Sequence, residues 1–162
     1  AASAQKLAVQ GFKVKTLKTF TGKELIGKEC TTATGKNVPI FPANFVDENN
    51  ATGIVHSVPA HAPVDYIALK ELQEGKADSQ FPGTSDIAKA ITMISLINVP
   101  GFGEFPAQDE VNAQNIVSLN DKTKIETATE KMYKKEYYEG KMNKNCLQFE
   151  GESCAQARTS VA

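Results

Sequence analysis

The nine residues from Ile91 to Val99 (ITMISLINV) are the most apolar stretch of this sequence, and they narrow the folds open to it. Thr92, Ser95 and Asn98 interrupt the run, which falls far short of the roughly 20 apolar residues that a membrane span needs. Its β-branched positions predict a strand, and Pro100-Gly101-Phe102-Gly103 breaks it. Strand signals lie mostly before this run and helical signals mostly after Pro63. That distribution predicts an α+β fold.

In the first half, Phe12, Val14 and Leu17 predict a half-buried strand, and Leu25 to Cys30 a second. A turn over 32–37 (TATGKN) leads to Val38-Pro39-Ile40-Phe41, which Pro39 and Pro42 confine to a sheet edge or to strand ends. Gly53 to Val58 (GIVHSV) reads as a strand stopped by Pro59. Pro63 then opens a helix whose apolar row is Val64, Ile67, Ala68, Leu69 and Leu72. Residues 74–85 read as a loop, and a short helix is predicted from Pro106 to about Asn115. A long helix runs from Asp121 to Glu139, with Ile125, Ala128, Met132, Tyr133 and Tyr137 on one face. Asn120 or Asp121 can cap its start, and Gly140 follows its end. The last segment, from Glu152, starts like another helix.

Composition excludes more than it selects. With 162 residues, 41% hydrophobic and 23% charged, the chain is of ordinary globular make-up and large enough for a core. The formal charge is −1, and of the 18 cationic residues only Arg158 is an arginine. No global charge favours DNA or a membrane surface, and phosphate grip by arginine forks is nearly absent. The three cysteines, Cys30, Cys146 and Cys154, form no CxxC pair, which fits reduced cytoplasmic thiols better than a disulfide framework. Too few His and Cys residues converge in sequence to predict a metal site.

Familiar enzyme signatures are missing: there is no GxSxG, GxxxxGK[ST] or HExxH. Gly101 and Gly103 read as a turn, and KMNKN at 141–145 as a solvated lysine-rich turn. The unusual stretch is 50–69, NATGIVHSVPAHAPVDYIAL. A strand ends at Val58-Pro59, a turn of small residues follows, and Asp65 sits in the first turn of the next helix. Asp65 could serve only the helix macrodipole, or it could be a carboxylate held at a strand-to-helix junction to meet an amino group. Periodicity leaves both readings open.

The segments KLAVQGFKV, GKELIGK, PANFVDENNATGIVHSVPAHAPVDYIALKEL, ISLINVPGFGEFPA and IETATEKMYKKEYYEGKM occur in the order found in one family. The sequence resembles the editing insertion (connective polypeptide 1) of leucyl-tRNA synthetase, in its archaeal and eukaryotic cytosolic form, over nearly the whole chain. The resemblance implies a β-barrel-like mixed sheet with inserted helices, incomplete here, and a single domain over 1–162 truncated at both ends. The HIGH and KMSKS-type signatures of aminoacylation are absent. The family's threonine-rich segment matches nothing in the chain, since the TTAT run at 31–34 is not that motif.

The activity implied is hydrolysis of the ester of mischarged tRNA(Leu), at its 3′ end, within a cytoplasmic enzyme that ligates leucine to tRNA. A methylene or branching change is worth only about 1–3 kcal/mol in an apolar pocket, so a second, hydrolytic sieve is needed. By the resemblance, Asp65 pairs with the α-amino group of the esterified amino acid, and Thr52, Gly53, His56, Ser57, Val58 and His61 bind substrate. His56 stands where a methionine is common. Editing implies no metal or cofactor, because ATP and Mg²⁺ belong to the synthetic domain, and the partners implied are the tRNA end and the rest of the synthetase. Two alternatives stand beside this reading: a non-catalytic module binding tRNA or a partner, and the editing domain of valyl- or isoleucyl-tRNA synthetase. The 162-residue chain is expected to deacylate isoleucyl-tRNA at least about a hundredfold more slowly than a domain extended at both ends, because losing one preorganised donor set costs about 10²–10³ in rate. Equal single-turnover rates for the two would refute this.

Overall fold

A computed structural model describes residues 2–161. Six helices and four short strands follow in the order α1 (Ala2–Val9), β1 (Glu29–Thr31), β2 (Asn37–Pro39), α2 (Pro63–Gln73), α3 (Thr84–Lys89), β3 (Ile97–Asn98), α4 (Pro106–Ala113), α5 (Lys122–Glu139), β4 (Lys141–Met142) and α6 (Cys154–Ser160). Turns of 3₁₀ helix lie at Gly22–Leu25 and Lys144–Phe149. The α+β class holds. Among the described residues the strands form two separate antiparallel pairs, β1 with β2 and β3 with β4, and no closed barrel.

The helices form as their sequences direct. Pro63 occupies the first turn of α2 and Pro106 that of α4, where proline's missing N–H costs nothing. The buried side of α2 is carried by Ile67, Leu69 and Leu72. Ile67 meets Val111 of α4, Ile125 and Ala128 of α5, and Ile116 in one core cluster. Leu69 and Leu72 meet Ala88 of α3 in a second, edged by Phe41, Ile91 and Met93. Helix α3 begins inside the predicted loop over 74–85 and runs on through residues for which the sequence predicts no element. Its N-terminus is held by a side chain from six residues upstream, since Asp78 Oδ1 accepts from Thr84 Oγ1 and from the Ser85 N–H, both at 2.9 Å. A cap so far away leaves no local signature.

The predicted strands are mostly not strands. Phe12 and Leu17 are 61% and 85% exposed on irregular chain. Leu25 ends a 3₁₀ turn, and only Glu29 to Thr31 joins a ladder. The stretch 54–58 belongs to no ladder. Of the apolar run 91–99, only Ile97 and Asn98 pair, with Met142 and Lys141. Side chains satisfy the neighbouring backbone instead. The Leu96 N–H donates to His61 Nε2 at 2.9 Å, and the Ser95 carbonyl accepts from Asn145 Nδ2 at 2.7 Å. The 141–145 segment is therefore no solvated turn: Asn143 is buried, and its amide donates to Ser95 Oγ.

Helix α5 also differs from its predicted face. Ile125, Ala128 and Met132 are buried, but the fourth buried position is Glu136, while Tyr133 is 47% exposed and Tyr137 is exposed as well. Asp121 sits at the N-cap, yet its Oδ2 accepts from the N–H groups of Val117 and Ser118, closing the preceding turn. Helix α6 forms within the predicted final segment, with Ser153 and Gln156 making a capping box.

Gly140 joins α5 to β4 at a point with no room for a side chain. A Cβ there would lie 2.6 Å from Ile97 Cγ2 and closer still to the Glu136 carbonyl. Gly22 has open space around it. Gly140→Ala should cost about 1–3 kcal/mol as an overpacked site does, and Gly22→Ala should stay within about 0.5 kcal/mol. Urea unfolding of both variants checks this, and equal midpoints would show that the junction can open.

Candidate functional site

The junction between the 54–58 stretch and α2 is an eight-residue turn, Val58 to Asp65, held from several directions. The Val58 carbonyl accepts from the N–H groups of His61 and Ala62, both at 2.9 Å. Asp65 reaches back, its Oδ2 accepting from the Val58 N–H at 2.7 Å. The Ala107 N–H, free in the first turn of α4, donates to the Ala60 carbonyl at 3.1 Å. Ala60 and Ala62 are almost wholly buried, so the alanines are small because α4 and α2 close directly over them.

His61, at the apex, has both ring nitrogens engaged. Nε2 accepts the Leu96 N–H, so the ring proton sits on Nδ1, from which it is donated to Glu136 Oε1 at 2.6 Å. His61 and Glu136 are each only 7% exposed. The resemblance places His61 among substrate-binding residues. In this fold its ring is spent on α5 and on the backbone that leads into β3, and it can serve a ligand only by placing its neighbours.

Asp65 is 8% exposed. Burial pushes its carboxyl above the ordinary carboxylate range, opposed by the Val58 N–H, the Ser57 hydroxyl and the nearby His56. None of the ion pairs among the described residues includes it. His56, Ser57 and Val58 are exposed beside it. Thr52 and Gly53 do not join this cluster through hydrogen bonds; they form their own turn. Thr52 Oγ1 donates to the Ile54 carbonyl at 2.9 Å, and Gly53, at φ +72°, passes within 3.0 Å of the Glu48 carbonyl at the place a Cβ would occupy.

Two residues near Asp65 escaped the sequence reading. Tyr133 of α5 stands close by: burial pushes its phenol up, and the charges of Asp65 and then Glu136 push it further. Glu136 was detectable, because Ile125, Ala128, Met132 and Glu136 keep a more regular helical row than the two tyrosines do. A carboxylate completing an apolar row marks a buried charge with a partner. Two grooves, of about 480 and 390 Å³, share Ser95, Glu104, Lys144 and Asn145. Asp65 lines neither; it lies buried, with the exposed His56, Ser57 and Val58 beside it. Among the described residues no group of His, Cys, Asp and Glu side chains is arranged to hold a metal ion, and no helix is long and apolar enough to cross a membrane.

The leucine–tRNA ligase of Methanocaldococcus jannaschii is 46% identical over 149 residues, which are 91% of this chain and 14% of the ligase. That of Pyrococcus horikoshii is 41% identical over 162 residues, 99% of this chain and 16% of the ligase. The chain is homologous to one segment of the leucyl-tRNA synthetases. It spans about one-seventh of the length of the synthetases it matches. Among solved structures, the synthetase domain GlLeuRS-CP1 superposes with a TM-score of 0.82 at 24% identity, over 98% of this chain and 61% of that one. The P. falciparum cytosolic leucyl-tRNA synthetase editing domain gives 0.83 at 24% identity, over 98% and 54%. These likenesses establish the fold as that of the synthetase CP1 editing domains. No protein-family model matches the chain.

The raised carboxyl of Asp65 has a stability consequence. A folded-state pKa above the unfolded one means that the folded state holds the proton more tightly, so stability falls as pH rises through the carboxylate range. Asp65→Asn keeps an acceptor for Val58 and removes the charge. The variant should melt higher than the parent at neutral pH, and the difference should shrink as pH drops below the carboxylate range. Thermal unfolding between pH 3 and 8, on the order of the range over which a perturbed carboxylate titrates, measures it; a variant less stable at every pH would contradict it.

Proposed function

We propose that this segment is the post-transfer editing part of a leucyl-tRNA synthetase, hydrolysing the ester that joins a wrong amino acid to the 3′ end of tRNA(Leu). The observation that carries the reading is Asp65, a buried carboxylate that no cation among the described residues pairs with, beside the exposed His56, Ser57 and Val58. A charge so placed is costly unless something compensates it. The α-ammonium of an aminoacyl ester is such a compensating group, and it arrives only with the substrate.

In this reading Asp65 binds the ammonium and thereby fixes the ester carbonyl relative to an attacking water. The water oxygen bonds to the carbonyl carbon, the bond from that carbon to the ribose oxygen breaks, and a water proton ends on the ribose oxygen. The products are a free amino acid and a tRNA with a free hydroxyl. Orientation of this kind is worth several powers of ten in rate, and the step calls for neither metal nor redox cofactor. Thr52, Gly53, His56, Ser57 and Val58 are proposed as one wall of the substrate site. The rest of the synthetase supplies the grip on the tRNA body, which a chain of net charge −1 does not provide, and the ATP- and Mg²⁺-dependent ligation of leucine. Its compartment is that of the ligase, the cytoplasm.

In the whole synthetase carrying this segment, Asp65→Ala should slow deacylation of isoleucyl-tRNA(Leu) at least about 10²-fold, leaving leucine-dependent pyrophosphate exchange within about twofold. Unchanged deacylation removes Asp65 from the site.

A further inference from the structure

Resting on the reading of Asp65 above, we propose that Glu136 is a positioning residue of the editing site, acting through His61. Glu136 lies on α5, 71 positions beyond Asp65 in the chain (136 − 65), yet the two are joined by a short sequence of bonds. Glu136 Oε1 accepts from His61 Nδ1 at 2.6 Å. The His61 N–H donates to the Val58 carbonyl at 2.9 Å, and the Val58 N–H donates to Asp65 Oδ2 at 2.7 Å. His61 is thus the apex of the turn whose two ends are Val58 and Asp65.

The geometry assigns Glu136 more than a share in packing. The His61 ring is gripped on opposite edges, by α5 through Nδ1 and by the Leu96 N–H through Nε2. Its rotation and tautomer are both determined, as when a carboxylate orients an imidazole in a catalytic site. Here the oriented group transmits position, not protons, because neither nitrogen is left to meet a substrate. What it positions is the main chain at Val58, whose N–H is the main-chain donor that Asp65 accepts from, with the Ser57 hydroxyl one residue before it. The far anchor of the turn, the Ala107 N–H on the Ala60 carbonyl, restrains it from α4 and does not replace the anchor on α5. Without Glu136 the ring loses one of its two holds. The apex is then free to shift, and Val58 and Asp65 shift with it. A misplacement of about 1 Å at a group remote from the chemistry can cost about 10² in rate.

The test uses the whole synthetase with isoleucyl-tRNA(Leu) as substrate. Glu136→Ala should lower kcat for deacylation by about 10- to 100-fold with KM within about twofold, because Asp65 still meets the ammonium but holds the ester out of line. Glu136→Gln, which still offers an oxygen to His61 Nδ1–H, should restore kcat to within about threefold. Glu136→Asp keeps the charge and withdraws it by one methylene; it should lower kcat in the same direction, and it serves if the alanine variant does not fold. In an Asp65→Ala background Glu136→Ala should add no further loss, as expected of residues acting as one unit. Wild-type kcat in folded Glu136→Ala or Glu136→Asp overturns the proposal, as does a loss that multiplies with that of Asp65→Ala. If Asp65→Ala alone leaves deacylation intact, the editing reading itself falls, an outcome distinct from both.

Discussion

The fold depends on one imidazole. His61 joins three parts of the chain that share no ladder: the turn before α2, the long helix α5 and the backbone that leads into β3. Buried polar groups are stabilising only when all their bonds are made, and here they are. The ring donates once and accepts once, the carboxylate receives a proton donor, and a backbone N–H that would otherwise lie unpaired finds its acceptor. Removing His61 leaves both the carboxylate and the Leu96 N–H without this partner, which costs more than either bond contributes. Another buried carboxylate follows the same rule: Glu110 of α4 takes Lys131 Nζ at 2.8 Å on each of its oxygens, together with the amide of Gln114.

This economy explains why so little of the chain is sheet. Backbone donors and acceptors in a folded interior must be satisfied, by a ladder or by something else. At residues 95–96 side chains serve that backbone, His61 on the Leu96 N–H, Asn145 on the Ser95 carbonyl and Cys146 on the Leu96 carbonyl, together with the Asn143 N–H on the Leu96 carbonyl. A two-residue ladder then suffices to anchor β4 against β3. The same substitution of side chain for strand holds α3, whose first turn hangs on Asp78.

The longer helices were legible in the sequence, α1 and α3 were not, and the strands were legible only in part, for a physical reason. A helix makes its own hydrogen bonds, so Pro63, the row from Ile67 to Leu72 and the row from Ile125 to Met132 announce α2 and α5 locally. A strand exists only if a partner arrives, and ITMISLINV has strand composition without a strand's neighbours. In the site, Asp65 and its flanking residues were visible because they are contiguous and resemble a known pattern. Glu136 and Tyr133 were hidden because α5 reaches the site from 70 residues away, a convergence that spacing along the chain does not encode. Reading α5 for its most regular row, charge included, would have singled out Glu136.

The exposed stretch at 54–58 has a consequence for how such a segment behaves in concentrated solution. Ile54, Val55 and Val58 are open to solvent on backbone that belongs to no ladder. Ile54 and Val58 have their backbone groups engaged, but those of Val55, His56 and Ser57 between them are open to pairing with another extended chain. The stretch holds no formal charge except what His56 acquires on protonation, and Pro59 guards it at one end only. The exposed face beside the buried Asp65 is thus also a face prone to adhesion between copies. Exposure beside the carboxylate and colloidal stability pull the same five residues in opposite directions.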